Sequence, residues 1–238
     1  MSQSPAYRIY ALGDRAAVLD LGNAISEDLN SRVLAVQAWL KDNPFTGLKD
    51  AVAAYSSLTV LYDTYVIHKS LNPRNTAFEY VKQQLEHAWT NAAVGPVNGS
   101  RSITIPVCYA PQFGYDIEYV AQERQMTVEE LIRLHTGTVY RVYMLGFLPG
   151  FAYMGKVDER LVMPRKAVPR EQVAAGSVGI AGWQTGIYPL SSPGGWQVIG
   201  RTPLKLFDPM SEPPVLLNAG DRVRFDPVSP EVFNQLCQ

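Results

Sequence analysis

Arg165 and Arg170 stand in the run Pro-Arg-x-x-x-Pro-Arg, each guanidinium directly behind a proline. A guanidinium is a planar fork that meets a carboxylate or phosphate through two parallel hydrogen bonds. Their odd spacing would put them on opposite faces of a straight strand. Only a turn, which Pro169 can help make, lets both face one anion; salt bridges between strands are the alternative. His135 is one of three histidines and the only one abutting this region. Its ordinary pKa near neutrality suits a general base or an anion donor. At the end of a short helix it could equally satisfy a terminal carbonyl. His68 and His87 read as structural or exposed.

Gln184, Thr185, Tyr188, Trp196, Gln197 and Arg201 follow closely. They combine aromatic faces with amide and guanidinium donors, a mixture suited to a small polar molecule. The turn Gly194-Gly195-Trp196 could present backbone N–H groups to a developing oxyanion, or could simply be a tight turn that packs Trp196 into a barrel. GFAYMGKV, from Gly150, nearly matches the phosphate loop GxxxxGK[ST], but Val157 lacks the hydroxyl that binds magnesium. The chain holds no HExxH, GxSxG or GxGxxG. Cys108 and Cys237 form no CxxC pair, which argues against a disulfide scaffold or a zinc site. No metal ligand set is therefore expected.

The elements that must position these residues are unusual. Residues 146–209 carry ten of the eighteen glycines and seven of the seventeen prolines, with aromatics between them. Such punctuation excludes a helix and reads as short strands joined by rigid turns, the usual material of a binding rim. Residues 136–209 hold eight Lys and Arg against four Asp and Glu, a local excess in a chain whose net charge is −1. A mildly positive, aromatic, glycine-rich region favours a small anionic ligand, although solvated surface cations are the plain alternative. The overall charge balance gives no reason to expect a nucleic acid or membrane partner.

Hydrophobic content of 47% and charged content of 18% in 238 residues fit one or two folded domains with a sizeable core. The first residues, MSQSPAYRIYALGDR, show no signal-peptide pattern. No apolar run approaches the ~18 residues of a membrane span, so a cytoplasmic location is expected. Residues 7–12, 16–21, 51–55 and 59–62 read as strands. One helix follows a Ser26 cap, and a second opens at Asn72-Pro73 with Phe78, Val81, Leu85 and Trp89 on one face. The order ββαββα suits a sheet covered on one face by two helices. Residues 92–102 are the linker candidate, dividing a domain at 1–95 from one at 96–238. The second half has helix starts at Asp116 and Thr127, the latter with capping-box spacing to Glu130, and a stop at Gly137. Beyond it the pattern is mostly short strands, among them 139–145, 179–181, 186–190, 197–200, 204–207 and 221–225. A barrel or sandwich follows, and the fold class is α+β.

HTGTVYRVYMLGFLPGFAYMG, LVMPRKAVPRE and GSVGIAGWQTGIYPLSSPGGWQVIGRTPLKLFDP together closely resemble the allophanate hydrolase subunit 1 family. That family includes the B-type subunits of 5-oxoprolinase and the sporulation-kinase inhibitor KipI. The likeness is densest over residues 135–209 and extends to the opening YRIYALGDRAAVLDLG. It implies an N-terminal ferredoxin-like α/β sandwich followed by a C-terminal cyclophilin-like β-barrel. It also implies a non-autonomous subunit of an ATP-dependent 5-oxoprolinase that hydrolyses 5-oxo-L-proline to L-glutamate, inactive alone. The implied partners are two. One is a homologous second subunit, of the allophanate hydrolase subunit 2 or C-type 5-oxoprolinase kind. The other is an A-type subunit of the lactam-utilisation kind.

Two other functions belong to the same resemblance. One is a regulator that binds and inhibits a sporulation-type histidine kinase. The other is a carboxyltransferase-type subunit of urea or allophanate metabolism. No biotin attachment is expected, because the chain has no Ala-Met-Lys-Met. ATP with Mg2+ would bind through a fold other than a phosphate loop, or on a partner chain. The residues expected to serve are Arg165, Arg170 and His135 in catalysis. Gln184, Tyr188, Gly194, Gly195, Trp196, Gln197 and Arg201 are expected to bind substrate.

Overall fold

A computed structural model describes residues 7–70, 76–95 and 101–237, and the chain divides into two units, Met1–Gly99 and Ser100–Gln238. The expected helix start at Asn72-Pro73, the centre of the expected linker and the first six residues lie outside the described residues. In the first unit the elements are β1 (Arg8–Ala11), β2 (Ala16–Asp20), α1 (Glu27–Asp42), β3 (Leu48–Ala53), β4 (Ser57–Tyr62), α2 (Thr64–Ser70) and α3 (Ala77–Asn91). Ser26 is extended and its side chain accepts the Leu29 N–H, which starts α1. Thr76 starts α3 with a full capping box, Glu79 N–H to Thr76 and Thr76 N–H back to Glu79.

The strands form one antiparallel sheet in the order β1-β2-β4-β3. Helix α1 joins β2 to β3 across the intervening β4, a split β-α-β unit. Val33, Val36 and Leu40 of α1 and Val81, Leu85 and Ala88 of α3 are fully buried, as are Leu19, Leu58 and Val60 of the sheet. Arg32 of α1 donates to Ala92 O at 2.7 Å and lies over the Trp89 ring at 4.1 Å, which ties the end of α3 to α1.

The second unit contains β5 (Ser102–Val107), α4 (Ile117–Glu123), α5 (Val128–Thr136), β6 (Tyr140–Leu145), β7 (Ala152–Gly155), β8 (Arg170–Val173), β9 (Ser177–Ala181), β10 (Gln184–Ile187), β11 (Ser192–Gly194), β12 (Gln197–Arg201), β13 (Arg222–Pro227) and α6 (Pro230–Leu236). Seven strands make a sheet in the order β12-β9-β10-β7-β6-β13-β5, while β8 and β11 pair as a separate ribbon. The two ends of the sheet meet where the Cys108 N–H donates to Arg201 O at 2.8 Å and the Arg201 N–H donates to Cys108 O at 2.9 Å. The sheet is thus a nearly closed barrel. Its interior is filled by Ile105, Val142, Met154, Val178, Ile180, Ile187, Ile199 and Val223, with Ile117 and Val120 of α4 and Leu131 of α5 packed into the same core. Each such side chain contributes about 1.5–3 kcal/mol by leaving water.

Three features singled out in the sequence take their places here, and one expectation changes. The near-match to a phosphate loop runs through β7, a strand paired on both sides by β6 and β10, so its backbone N–H groups serve the sheet. The strand expected at 204–207 reduces to a single bridge, Phe207 with Val215. Asp116 opens α4 but makes no side-chain cap bond. Among the described residues, no helix is long and apolar enough to cross a membrane.

Candidate functional site

Neighbouring residues of a strand face opposite sides of a sheet. Met154, Ile180 and Ile187 fill the barrel core, whereas Tyr153, Ala181 and Val198 belong to a second cluster on the outer face. Phe151, Tyr188 and Trp196 seal that cluster with Val173 of the β8–β11 ribbon. The ring of Phe151 meets Tyr153 at 4.7 Å, Tyr188 at 5.3 Å and Trp196 at 5.4 Å, the last two edge to face. Glycine makes this packing possible. A Cβ on Gly194 would lie 2.4 Å from the Tyr188 hydroxyl, and one on Gly186 would lie 3.0 Å from the Trp196 ring. Burial raises the pKa of the Tyr188 phenol, and the backbone N–H of Trp196 acts on it to lower that pKa.

At the edge of the cluster, Phe147 is exposed and has φ +67°. The Leu148 N–H closes back on Gly146 O at 2.8 Å, a three-residue γ-turn with positive φ at its centre. A bulky residue held there stores about 1–3 kcal/mol of strain. Its ring touches Phe151 edge to face at 5.6 Å.

The polar centre of the region is Asp116, 3% exposed. Arg170 grips its carboxylate with both guanidinium nitrogens, at 2.7 and 2.8 Å. Lys166 donates at 3.0 Å and the Val198 N–H at 2.8 Å. Burial, the largest influence, acts to raise the Asp116 pKa. The bonds from Arg170, Val198 and Lys166 outweigh it and hold the carboxyl below its usual value. Two cations share one anion, so the cluster keeps a net positive charge.

The chain leading to these cations is tied at two points. Gln197 Nε2 donates to Pro164 O at 3.0 Å and the Lys166 N–H donates to Gly195 O at 2.7 Å. Arg165 lies between those two anchors. It is exposed and makes no hydrogen bond or ion pair among the described residues. Its charge is felt at Tyr153 and Tyr188: burial raises the pKa of both phenols, and Arg165 pulls each back down.

The other expected residues divide between these settings. Tyr188 and Trp196 are 1% and 4% exposed and pack in the aromatic wall. Gly194 and Gly195 let that wall close and anchor the Lys166 backbone. Gln184, half-buried at the start of β10, is two residues before Gly186 and shares its outer face. Gln197 is buried, with its Oε1 lacking any partner. Arg201 donates through Nε to Ala175 O at 2.7 Å and sits at the barrel seam.

His135 stands apart. It is fully buried inside the barrel, stacked on Phe225 at 4.5 Å. The Thr185 hydroxyl donates to Gly179 O at 3.1 Å, so it accepts from His135 Nε2–H at 3.0 Å, and Nδ1 accepts from Tyr109 at 2.8 Å. Burial drives its pKa down to about 3. Thr185 and Gln184 point to opposite sides of β10, which puts His135 across the sheet from the aromatic wall. His135, expected in catalysis, is here a neutral side chain of the barrel core with both ring nitrogens hydrogen-bonded.

Sequence reasoning missed Asp116, Lys166, Tyr153 and Phe151. Asp116 carried a signal, an aspartate before a helix, but it pointed to a cap. Its true partners are 50 to 82 residues away, beyond any local spacing rule.

Comparison with known proteins gives this geometry a family. The carboxyltransferase domain, subdomain C and D, matches residues 7–217. The chain is 45% identical over 229 residues to the B-type subunit of 5-oxoprolinase from Bacillus subtilis, covering 96% of this chain and 95% of that protein. It is 39% identical over 221 residues to the B-type subunit of 5-oxoprolinase from Escherichia coli, covering 92% and 95%. The urea carboxylase of Kluyveromyces lactis superposes with a TM-score of 0.78 over 99% of this chain and 23% of that one; at 18% identity the likeness is one of fold. An aromatic wall and a tethered cationic segment on a nearly closed barrel are thus the local architecture of a chain that belongs to the carboxyltransferase domain family, subdomains C and D, with B-type subunits of 5-oxoprolinase among its relatives.

Proposed function

We propose that this chain is the B-type subunit of an ATP-dependent 5-oxoprolinase, acting in a complex of several chains that hydrolyses 5-oxo-L-proline to L-glutamate. The near end-to-end identity to the Bacillus subtilis protein carries the reading. Mixing the purified chain with a C-type second subunit and an A-type subunit of the lactam-utilisation kind tests it. Glutamate release from 5-oxoproline is expected only with all three chains and ATP. No release from the full set overturns the proposal.

The substrate combines a carboxylate with a lactam whose amide resonance makes it a poor electrophile, and phosphorylation of the carbonyl oxygen by ATP relieves that resistance. Arg165 fits the anionic end of such a molecule, because its guanidinium is uncommitted and its charge is felt at Tyr153 and Tyr188 of the aromatic wall. Gln184 and Arg201 complete the polar rim in this reading, and Tyr188, Gly194, Gly195, Trp196 and Gln197 shape it. Arg170 supports rather than touches the substrate, since its fork is already filled by Asp116.

The described residues do not fit the magnesium that accompanies ATP: no three His, Cys, Asp or Glu side chains gather among them, and Asp116 is saturated by cations. The contribution read from this chain is charge, shape and exclusion of water. Support for a ferredoxin-like first unit comes from its split β-α-β topology, and for a cyclophilin-like second unit from the nearly closed barrel.

A further inference from the structure

Arg165 presents an energetic oddity: a cation with no partner of its own, in a segment held on either side of it at Pro164, Lys166 and Arg170. Pro164 O is taken by Gln197, the Lys166 N–H by Gly195 O, the Lys166 ammonium by Asp116, and the Arg170 fork by Asp116. Fixing the chain on both sides of one unpaired guanidinium gives no internal return. It is the arrangement that lowers the entropy lost when an anion arrives.

Both engaged cations of the segment, Lys166 and Arg170, are bonded to Asp116. Its carboxylate accepts four hydrogen bonds, and its own N–H donates to Val198 O at 2.8 Å while its side chain accepts the Val198 N–H at 2.8 Å. The carboxylate is therefore clamped to β12 first, and Lys166 and Arg170 are clamped to it. The side chain of an aspartate that merely capped α4 would bond the first turn of that helix, and this side chain does not.

We infer that Asp116 is the positioning residue for Arg165, setting the course of residues 164–170 so that the free guanidinium meets the anionic group of the substrate. The inference rests on the 5-oxoprolinase reading for its assay, and the two can fail separately. If the wild-type complex releases no glutamate, the reading fails before any variant is compared.

The test is a double-mutant cycle in the reconstituted complex with D116N, R165M and the double variant, read as kcat and KM for 5-oxoproline. Far-UV circular dichroism and thermal unfolding of each chain verify the fold. A misplacement near 1 Å is worth about 10²-fold in activity, and D116N is expected to lower kcat/KM by a loss of that order. R165M is expected to lose at least as much. Because Asp116 acts through Arg165, the double variant is expected to be no worse than R165M alone. Losses that multiply in the double variant, or a folded D116N with wild-type kcat/KM, overturn the inference. If D116N does not fold, K166M, which removes a single strut, enters the same cycle with R165M. Non-multiplying losses then support the inference and multiplying ones refute it.

Discussion

A histidine that keeps its neutral form inside a barrel makes stability depend on pH in a calculable way. His135 titrates at about 3 when folded and near ~6.5 when unfolded. As pH falls below the unfolded value, only the unfolded state gains the proton, so stability drops, until pH passes the folded value. Urea unfolding is expected to show a loss of about 2 kcal/mol between pH 7 and pH 5 that is absent from H135Q measured against its own pH 7 value. Asp116 works in a separate window. Its lowered pKa means that its share of stability is complete above the ordinary carboxylate range and is lost in more acid solution. The two arginines should part company equally clearly. R165M is expected to unfold within about 0.5 kcal/mol of wild type, since its side chain bonds nothing. R170M is expected to lose about 2 kcal/mol, because Lys166 alone is left to balance a buried carboxylate. Both are read by urea midpoints. At this scale the sequence showed which residue types mattered. The proline-arginine pairs drew attention to a segment that does turn and does bring a guanidinium fork to a carboxylate. It could not show that the carboxylate is Asp116, because a contact across 54 residues leaves no local trace.

Among the elements, those governed by local chemistry were the legible ones. Ser26 and Thr127 are caps whose bonds span three residues, and the stripe from Val33 to Leu40 is buried at helical spacing; the Thr76-Glu79 capping box was not read. Strands of the glycine-rich region were read only in part. Strand β8 and the three-residue β11 make their ribbon from Arg-Glu-Gln-Val and Ser-Pro-Gly, sequences without apolar alternation. The glycines invited a reading as ligand-approach positions, yet several exist so that backbone or rings can pass. Gly194 is the sharpest case. Its replacement by alanine is expected to push the Tyr188 ring away, disturb the Phe151–Trp196 packing, and cost about 1–3 kcal/mol as an overpacked site. A lowered melting temperature with altered near-UV circular dichroism would show it, and unchanged values would mean the ring has room to yield.

For the molecule as a whole, composition and turn density pointed to mixed α and β structure with a strand-rich C-terminal half, and the seven-stranded sheet is its outcome. A barrel was expected, but the sequence did not disclose where it closes. The bond between Cys108 and Arg201 joins residues 93 apart by their main chains alone, and main-chain pairing has no residue code. Closure also decides how another chain could attach to this unit. A sheet that meets itself offers its partners few vacant strand edges, so side chains and loops must make the contact.

Cys108, buried at that closure, gives the seam a thiol, while Cys237 is exposed near the other end of the unit's sequence. A thiol reagent applied to the native protein is expected to modify Cys237 at once and Cys108 only when the barrel parts. The slow phase therefore becomes a clock for separation of the seam. Its rate, followed with and without bound partners, would report how firmly assembly keeps the barrel shut.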